Sequence, residues 1–167
     1  MTMRRSLPSR IGADRRGSAA AEMALVAPLL LALMLGSYEM GKYFLDEHVV
    51  AKAVRDGARY AARQNFSTMP CGGTATAEAQ IKNLVRTGVP TGGTPRLIYW
   101  TDPATITVTI TCDNTGTYTG IYTGLAGGAH RVEVSAAVPY TPLFGAMGFD
   151  ATALSLNARS QAAVMGI

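Results

Sequence analysis

The chain has 167 residues, a net charge of +4 and two cysteines, enough for one ordinary domain plus a membrane segment. The positive balance would suit nucleic acid, but its placement argues against it. Arg4, Arg5, Arg10, Arg15 and Arg16, opposed only by Asp14, carry the whole excess, and from Ser18 onward ten basic residues meet ten acidic ones.

That basic block stands directly before an apolar run, the arrangement that marks the cytoplasmic flank of a membrane span. Ala19 to Tyr38 is twenty residues with one charge, Glu22. As a helix it reaches ~30 Å, the thickness of a hydrocarbon core. Pro28 lies inside it, where neighbouring helices or local rearrangement can satisfy the released carbonyl. A cleavable secretory signal would place small residues after the run. Here Glu39, Met40, Gly41, Lys42 and Tyr43 follow, while Ala19, Ala20 and Ala21 come before. The pairs Arg4-Arg5 and Arg15-Arg16 are too common to define a twin-arginine signal.

Helical patterning continues from Lys42 to Gln64. Val50, Ala53, Val54, Gly57, Ala58 and Ala61 recur at three- and four-residue spacing, with Lys52, Arg55, Asp56, Arg59 and Arg63 largely opposite. Ala53, Gly57 and Ala61 form a small-residue series that permits close backbone approach, either onto the domain's own sheet or against a helix of another subunit. Met69 to Thr74, with proline and paired glycines, ends the helix. A short helix is expected over Ala75–Thr87, with Ala79, Ile81, Leu84 and Val85 available to pack, and Gly88–Pro95 is a loop. Leu97–Thr101 reads as a strand and Asp102-Pro103 as a turn. Thr105–Thr111 is the clearest strand, since Ile106, Val108 and Ile110 alternate with threonines. Asp113–His130 is a polar loop or loose hairpin, Arg131–Val138 alternates again, Pro139–Phe149 turns, and Ala151–Val164 reads as a last strand whose alanines leave helix open. The expected fold class is α+β: a long N-terminal helix followed by a small antiparallel sheet domain.

Cys71 and Cys112 both lie beyond the span, on the side where disulfides persist if the basic end is cytoplasmic. Pairing them closes a loop whose cross-link is worth roughly 4 kcal/mol in the chain-entropy model. With neither a C-x-x-C pair nor a nearby histidine cluster, they do not read as a metal site. His48 and His130 belong to no catalytic motif, and there is no P-loop, G-x-S-x-G or G-x-G-x-x-G between a strand and a helix. Glu22 and Glu39 would stand about 25 Å apart on a helix, too far for paired acid–base work. Asn65-Phe66-Ser67 fits a glycosylation sequon by a short match. Tyr118, Tyr122, Tyr140 and Trp100 suit either an adhesive surface or loop and strand packing. The sequence therefore predicts no enzyme, no cofactor and no metal.

Gly17 followed by Ser18-Ala19-Ala20-Ala21-Glu22 resembles the processing site of type IV prepilins, in which a prepilin peptidase cuts after the glycine and the glutamate becomes the fifth mature residue. Three further blocks narrow the resemblance. Glu22-Met23-Ala24-Leu25-Val26-Ala27-Pro28, then Tyr38-Glu39-Met40-Gly41, then Ala53-Val54-Arg55-Asp56-Gly57-Ala58-Arg59-Tyr60-Ala61 are similar to the TadE-like family, the minor pilins or pseudopilins of the tight-adherence (Tad/Flp) pilus system. Met23 and Met40 stand where that family often has phenylalanine, and Asp56 where it often has glutamate.

The resemblance implies a leader at 1–17, a transmembrane helix at 18–40, a helix extension outside the membrane at 41–68 and an extracytoplasmic α/β domain at 69–167. It implies anchoring in the bacterial inner membrane with the N-terminus cytoplasmic. The expected partners are membrane lipid, other pilin or pseudopilin subunits, the Tad machinery and a prepilin peptidase, with no nucleic acid. The function expected is support of pilus biogenesis and surface adherence. The competing reading is an uncleaved, membrane-tethered periplasmic binding module whose Gly/Thr/Tyr-rich loop takes a ligand.

Overall fold

The computed structural model describes residues 16–145, 148 and 153–166. The basic leader up to Arg15 lies outside them, as do parts of the expected turn at 139–149 and the start of the strand expected from Ala151. Two compact units divide between Met40 and Gly41, and each is described by itself.

Helix α1 (Arg16–Ala62) supplies the whole described part of the first unit. From Met23 to Met40 its large apolar side chains are exposed on every face; Leu25 is 79% and Leu33 60% accessible. A helix that is apolar all round belongs in a core or a membrane, and this stretch is long and apolar enough to cross one, with none of it covered by the protein. Ser37 turns its hydroxyl back to the Leu33 carbonyl at 2.7 Å, so that polar group is satisfied within the helix.

Past Gly41 the pattern changes. Asp46, Val50, Ala53, Val54, Gly57, Ala58, Ala61 and Ala62 are buried while His48, Lys52, Arg55, Arg59 and Arg63 are exposed, a one-sided amphipathic helix. α1 ends at Ala62, two residues earlier than the periodicity suggests. A single 3-10 turn at Phe66–Thr68 follows, with the Asn65 side chain accepting from the Ser67 amide. Helix α2 (Glu78–Thr87) starts three residues later than expected. Ala75 and Ala77 are buried in its lead-in, and of the four residues expected to pack, Ile81 and Val85 are fully buried, Leu84 is half-buried and Ala79 faces solvent.

The sheet is three antiparallel strands in the order β1 (Ile106–Asp113), β2 (Ala129–Pro139), β3 (Ser155–Ala163). The fold is therefore α+β. Val108 pairs with Val134, and Ile110 with Val132 and through it with Ala162, so alternate residues of all three strands share the inner face. Thr107, Ser135 and Arg159 line up on the other. α1, α2 and the inner face enclose one core of Val54, Ile81, Val85, Ile106, Val132, Val134, Leu156 and their neighbours.

The strand expected over Leu97–Thr101 is absent. That segment is a turn, closed by the Trp100 amide on the Leu97 carbonyl at 2.9 Å. Leu97 and Trp100, three residues apart, both point inward, a spacing that a strand's alternation forbids. Trp100 and Tyr140 are buried, which removes both from the adhesive surface considered for them. The Trp100 indole donates to the Thr105 hydroxyl at 2.8 Å.

Of the two packings open to Ala53, Gly57 and Ala61, the structure shows the one onto the chain's own domain. A Cβ placed on Gly57 would lie 2.3 Å from Val85 Cγ2, 3.6 Å from Val134 Cγ1 and 3.8 Å from Ile81 Cγ2. Val85 is β-branched and stiff, so the contact cannot relax by a rotamer change at a flexible tip. Gly57→Ala gains about 1 kcal/mol of helix propensity but overpacks by about 1–3 kcal/mol. We expect a net loss of about 1 kcal/mol in thermal unfolding of the detergent-solubilised chain. Gly57→Ala with Val85→Ala should be more stable than the two single changes add up to, because the new methyl occupies the vacated space. A Gly57→Ala chain as stable as the native one would show the contact to be looser than described.

Candidate functional site

Three places on the chain carry the features a function can use. The first is the start of α1. Gly17 and Ser18 lie in its first turn, and Glu22 follows one turn later on the exposed surface. Glu22 is the one charged side chain from Ser18 to Tyr38. A carboxylate in that position is costly in lipid unless it has a partner there.

The second place is the corner where Cys71 and Cys112 form a disulfide, with Cα atoms 5.7 Å apart. It ties the turn after α1 to the end of β1. Cys112 pairs across the ladder with His130, which is buried. The His130 ring places Nδ1 3.1 Å from the Gly128 carbonyl and Nε2 2.9 Å from Cys71 Sγ. A carbonyl only accepts, so Nδ1 donates to Gly128, while Nε2 stands against a disulfide sulfur that has no proton to give. The donor atoms of Cys71, Cys112 and His130 lie within 4.8 Å of one another, but both sulfurs are committed to the disulfide and neither is a thiolate ligand. Gly127 passes so close that a Cβ there would stand 2.3 Å from Cys71 Sγ. The 113–130 loop is therefore seated on the disulfide, and Tyr122 pins it further by donating to the Val164 carbonyl at 2.9 Å. The corner is a structural staple. Asn65 of the sequon is occupied as the cap of the 3-10 turn.

The third place is a polar cluster on the first turns of α1 in the second unit. Asp46 sits on the buried stripe, one turn before Val50. Its Oδ2 accepts from Lys42 Nζ at 2.6 Å and from the Tyr99 hydroxyl at 2.7 Å. The Lys42 ammonium lies 5.3 Å from the Tyr99 ring and 5.1 Å from the Tyr140 ring, within cation–π range. Tyr43 meets Tyr140 edge-on at 5.2 Å and donates to the Ser155 carbonyl. Burial, and then the hydrogen bond and charge of Asp46, push the Tyr99 hydroxyl well above the ordinary tyrosine range. An aspartate in phase with the apolar stripe is a sequence signal for such a cluster. Tyr99, 53 residues away, is not readable as its partner.

Together these features define a class: a protein with, among the described residues, one helix long and apolar enough to span a membrane, joined to a disulfide-stapled α+β domain. The family comparison is more particular. Residues 17–59 match the family model described as TadE-like protein, so that segment is similar to the family that its motifs resemble. No curated protein and no solved structure matches it. The matched segment contains Gly17 and Glu22, the exposed apolar half of α1 and most of its amphipathic half.

Because the Tyr99 pKa is raised by folding, the neutral phenol stabilises the native state fully below the ordinary tyrosine value of about 10, and that contribution is lost as pH rises beyond it. Tyr99→Phe removes a hydrogen bond to a charged group and should cost about 1.5–3 kcal/mol at neutral pH. In a phenolate absorbance titration, one tyrosine of the native chain should ionise only as the domain unfolds, and Tyr99→Phe should abolish that step. Unchanged stability would mean that the Asp46 bond is replaced by water.

Proposed function

We propose that this chain is a minor pilin or pseudopilin-like component of a Tad pilus assembly system, without enzymatic activity, supporting pilus biogenesis and through it surface adherence. The observation that carries the reading is the match of residues 17–59 to the TadE-like family, on a helix whose 23–40 stretch is exposed and apolar all round. In this reading residues 18–40 anchor the chain in the inner membrane. The arginine-rich leader stays in the cytoplasm, following the bias of basic residues to that side, and the disulfide-bonded domain lies in the oxidising compartment beyond.

The chemistry at the start of α1 follows from charge. Cleavage after Gly17 by a prepilin peptidase would remove the arginine block and leave a new ammonium on Ser18. Glu22, one turn on, is placed to neutralise that amine on its own chain or on a neighbouring subunit. In lipid the cost of separating the two charges would fix the register between packed helices. The partners in this reading are other pilin or pseudopilin subunits and the Tad machinery, met within the membrane through the apolar half of α1.

Glu22→Gln tests the proposal. The variant keeps the side chain's shape and loses its charge. We expect processing and membrane insertion to persist while recovery in sheared pilus fractions, or co-purification with the pilus machinery, falls at least tenfold. Normal assembly of the processed Glu22→Gln chain would remove the register role.

A further inference from the structure

Among the described residues Ile98 is the most exposed large apolar side chain, 93% accessible. A single exposed isoleucine is ordinary; the company it keeps is not. Its neighbours Leu97 and Tyr99 turn inward, and Trp100 closes the turn behind them, so the backbone is held with Ile98 aimed outward. Ile98 borders a groove of about 460 Å³ with Leu143, itself 52% exposed, and with Lys42, Asp46 and Tyr99. All of these belong to the second unit.

The chain itself says where this edge lies. Lys42 is two residues past Met40, where the exposed apolar stretch of α1 ends. Consecutive Cα atoms are 3.8 Å apart, which keeps Lys42 within about 8 Å of Met40 along the chain whatever the arrangement of the two units. The Lys42 ammonium touches the faces of Tyr99 and Tyr140, so the Ile98 turn is tethered to the place where the chain leaves the apolar segment. Half-buried Tyr99, a lysine with a long stem and the protruding aliphatic side chains of Ile98 and Leu143 form the composition that favours the boundary between headgroups and acyl chains.

We propose that the turn carrying Ile98, together with Leu143, inserts into the lipid interface as a second, non-spanning contact with the membrane. The inference rests on the reading of residues 18–40 as a membrane anchor. The occupant is the acyl–headgroup boundary itself rather than an anionic headgroup. The two cations beside the groove are both paired, Lys42 with Asp46 at 2.6 Å and Arg96 with Asp56 at 3.1 Å, which leaves little charge to recruit one.

The test uses the full chain reconstituted in phosphatidylcholine vesicles, with tryptophan introduced singly by Ile98→Trp, Leu31→Trp or Ile121→Trp. The buried native Trp100 is a constant background. Ile121 is an exposed apolar control beside Tyr122, which packs on Phe66 beyond the end of α1. Lipid brominated near the glycerol end of its acyl chains should quench the added emission of Ile98→Trp at least twofold, with little effect of acrylamide and no change when anionic lipid is included. Ile121→Trp should show the reverse. Ile98→Trp emission quenched by acrylamide as Ile121→Trp is would overturn the proposal. Protection from both quenchers would also overturn it, by showing a protein partner or second copy on the turn. Leu31→Trp separates the two levels: if lipid fails to quench it, the anchor reading itself has failed. If Leu31→Trp is quenched and Ile98→Trp is not, only the interfacial contact is wrong.

Discussion

The structure depends on one helix meeting two different demands. Up to Met40, the described part of α1 offers exposed apolar side chains on every face. Beyond Gly41 it offers a single stripe from Asp46 to Ala62 and becomes a wall of the domain core. The switch requires no break in the helix, only a change in which positions are apolar. Apart from the carbonyl that Pro28 releases, intrahelical hydrogen bonds satisfy the backbone in either medium. What the second half must do is let the sheet and α2 come close, and Gly57 does so by leaving room for Val85 where any side chain would collide.

The rest of the domain is fastened to that second half near both of its ends. At one end Asp46 gathers Lys42 and Tyr99 and brings Tyr140 into contact with the lysine. At the other, the Met165 amide donates to the Ala62 carbonyl, and the disulfide holds the turn after α1 to β1. A three-stranded sheet with one wet face has a modest core of its own. A cross-link worth roughly 4 kcal/mol in the chain-entropy model is then a large share of a typical domain's stability.

How much of this could be read in advance followed from how local the causes are. β1 was legible because Ile106, Val108 and Ile110 alternate with threonines, and the amphipathic half of α1 because its stripe repeats over five turns. β3 was ambiguous because, past Leu156, its inner face is Ala158, Ser160 and Ala162, side chains that suit a helix as well as a strand. Leu97–Thr101 misled because a short apolar run between Pro95 and Pro103 has the composition of a strand. Its inward residues, Leu97 and Trp100, are spaced as in a turn. The Tyr99–Asp46 bond and the seating of His130 against Cys71 join residues more than fifty positions apart, and no local pattern announces such pairs. The motif at Gly17, Ser18 and Glu22 was legible as a resemblance, and its first turn of helix carries no sign of whether the bond after Gly17 is cut.

That bond is where the account is most directly tested. The measurement is the intact mass of the membrane-extracted protein from cells with and without their prepilin peptidase. The account predicts a peptidase-dependent loss of residues 1–17, leaving Ser18 as the N-terminus beside Glu22. An unchanged mass in both samples would contradict it, and would leave a chain that keeps its basic leader and works as an uncut membrane anchor.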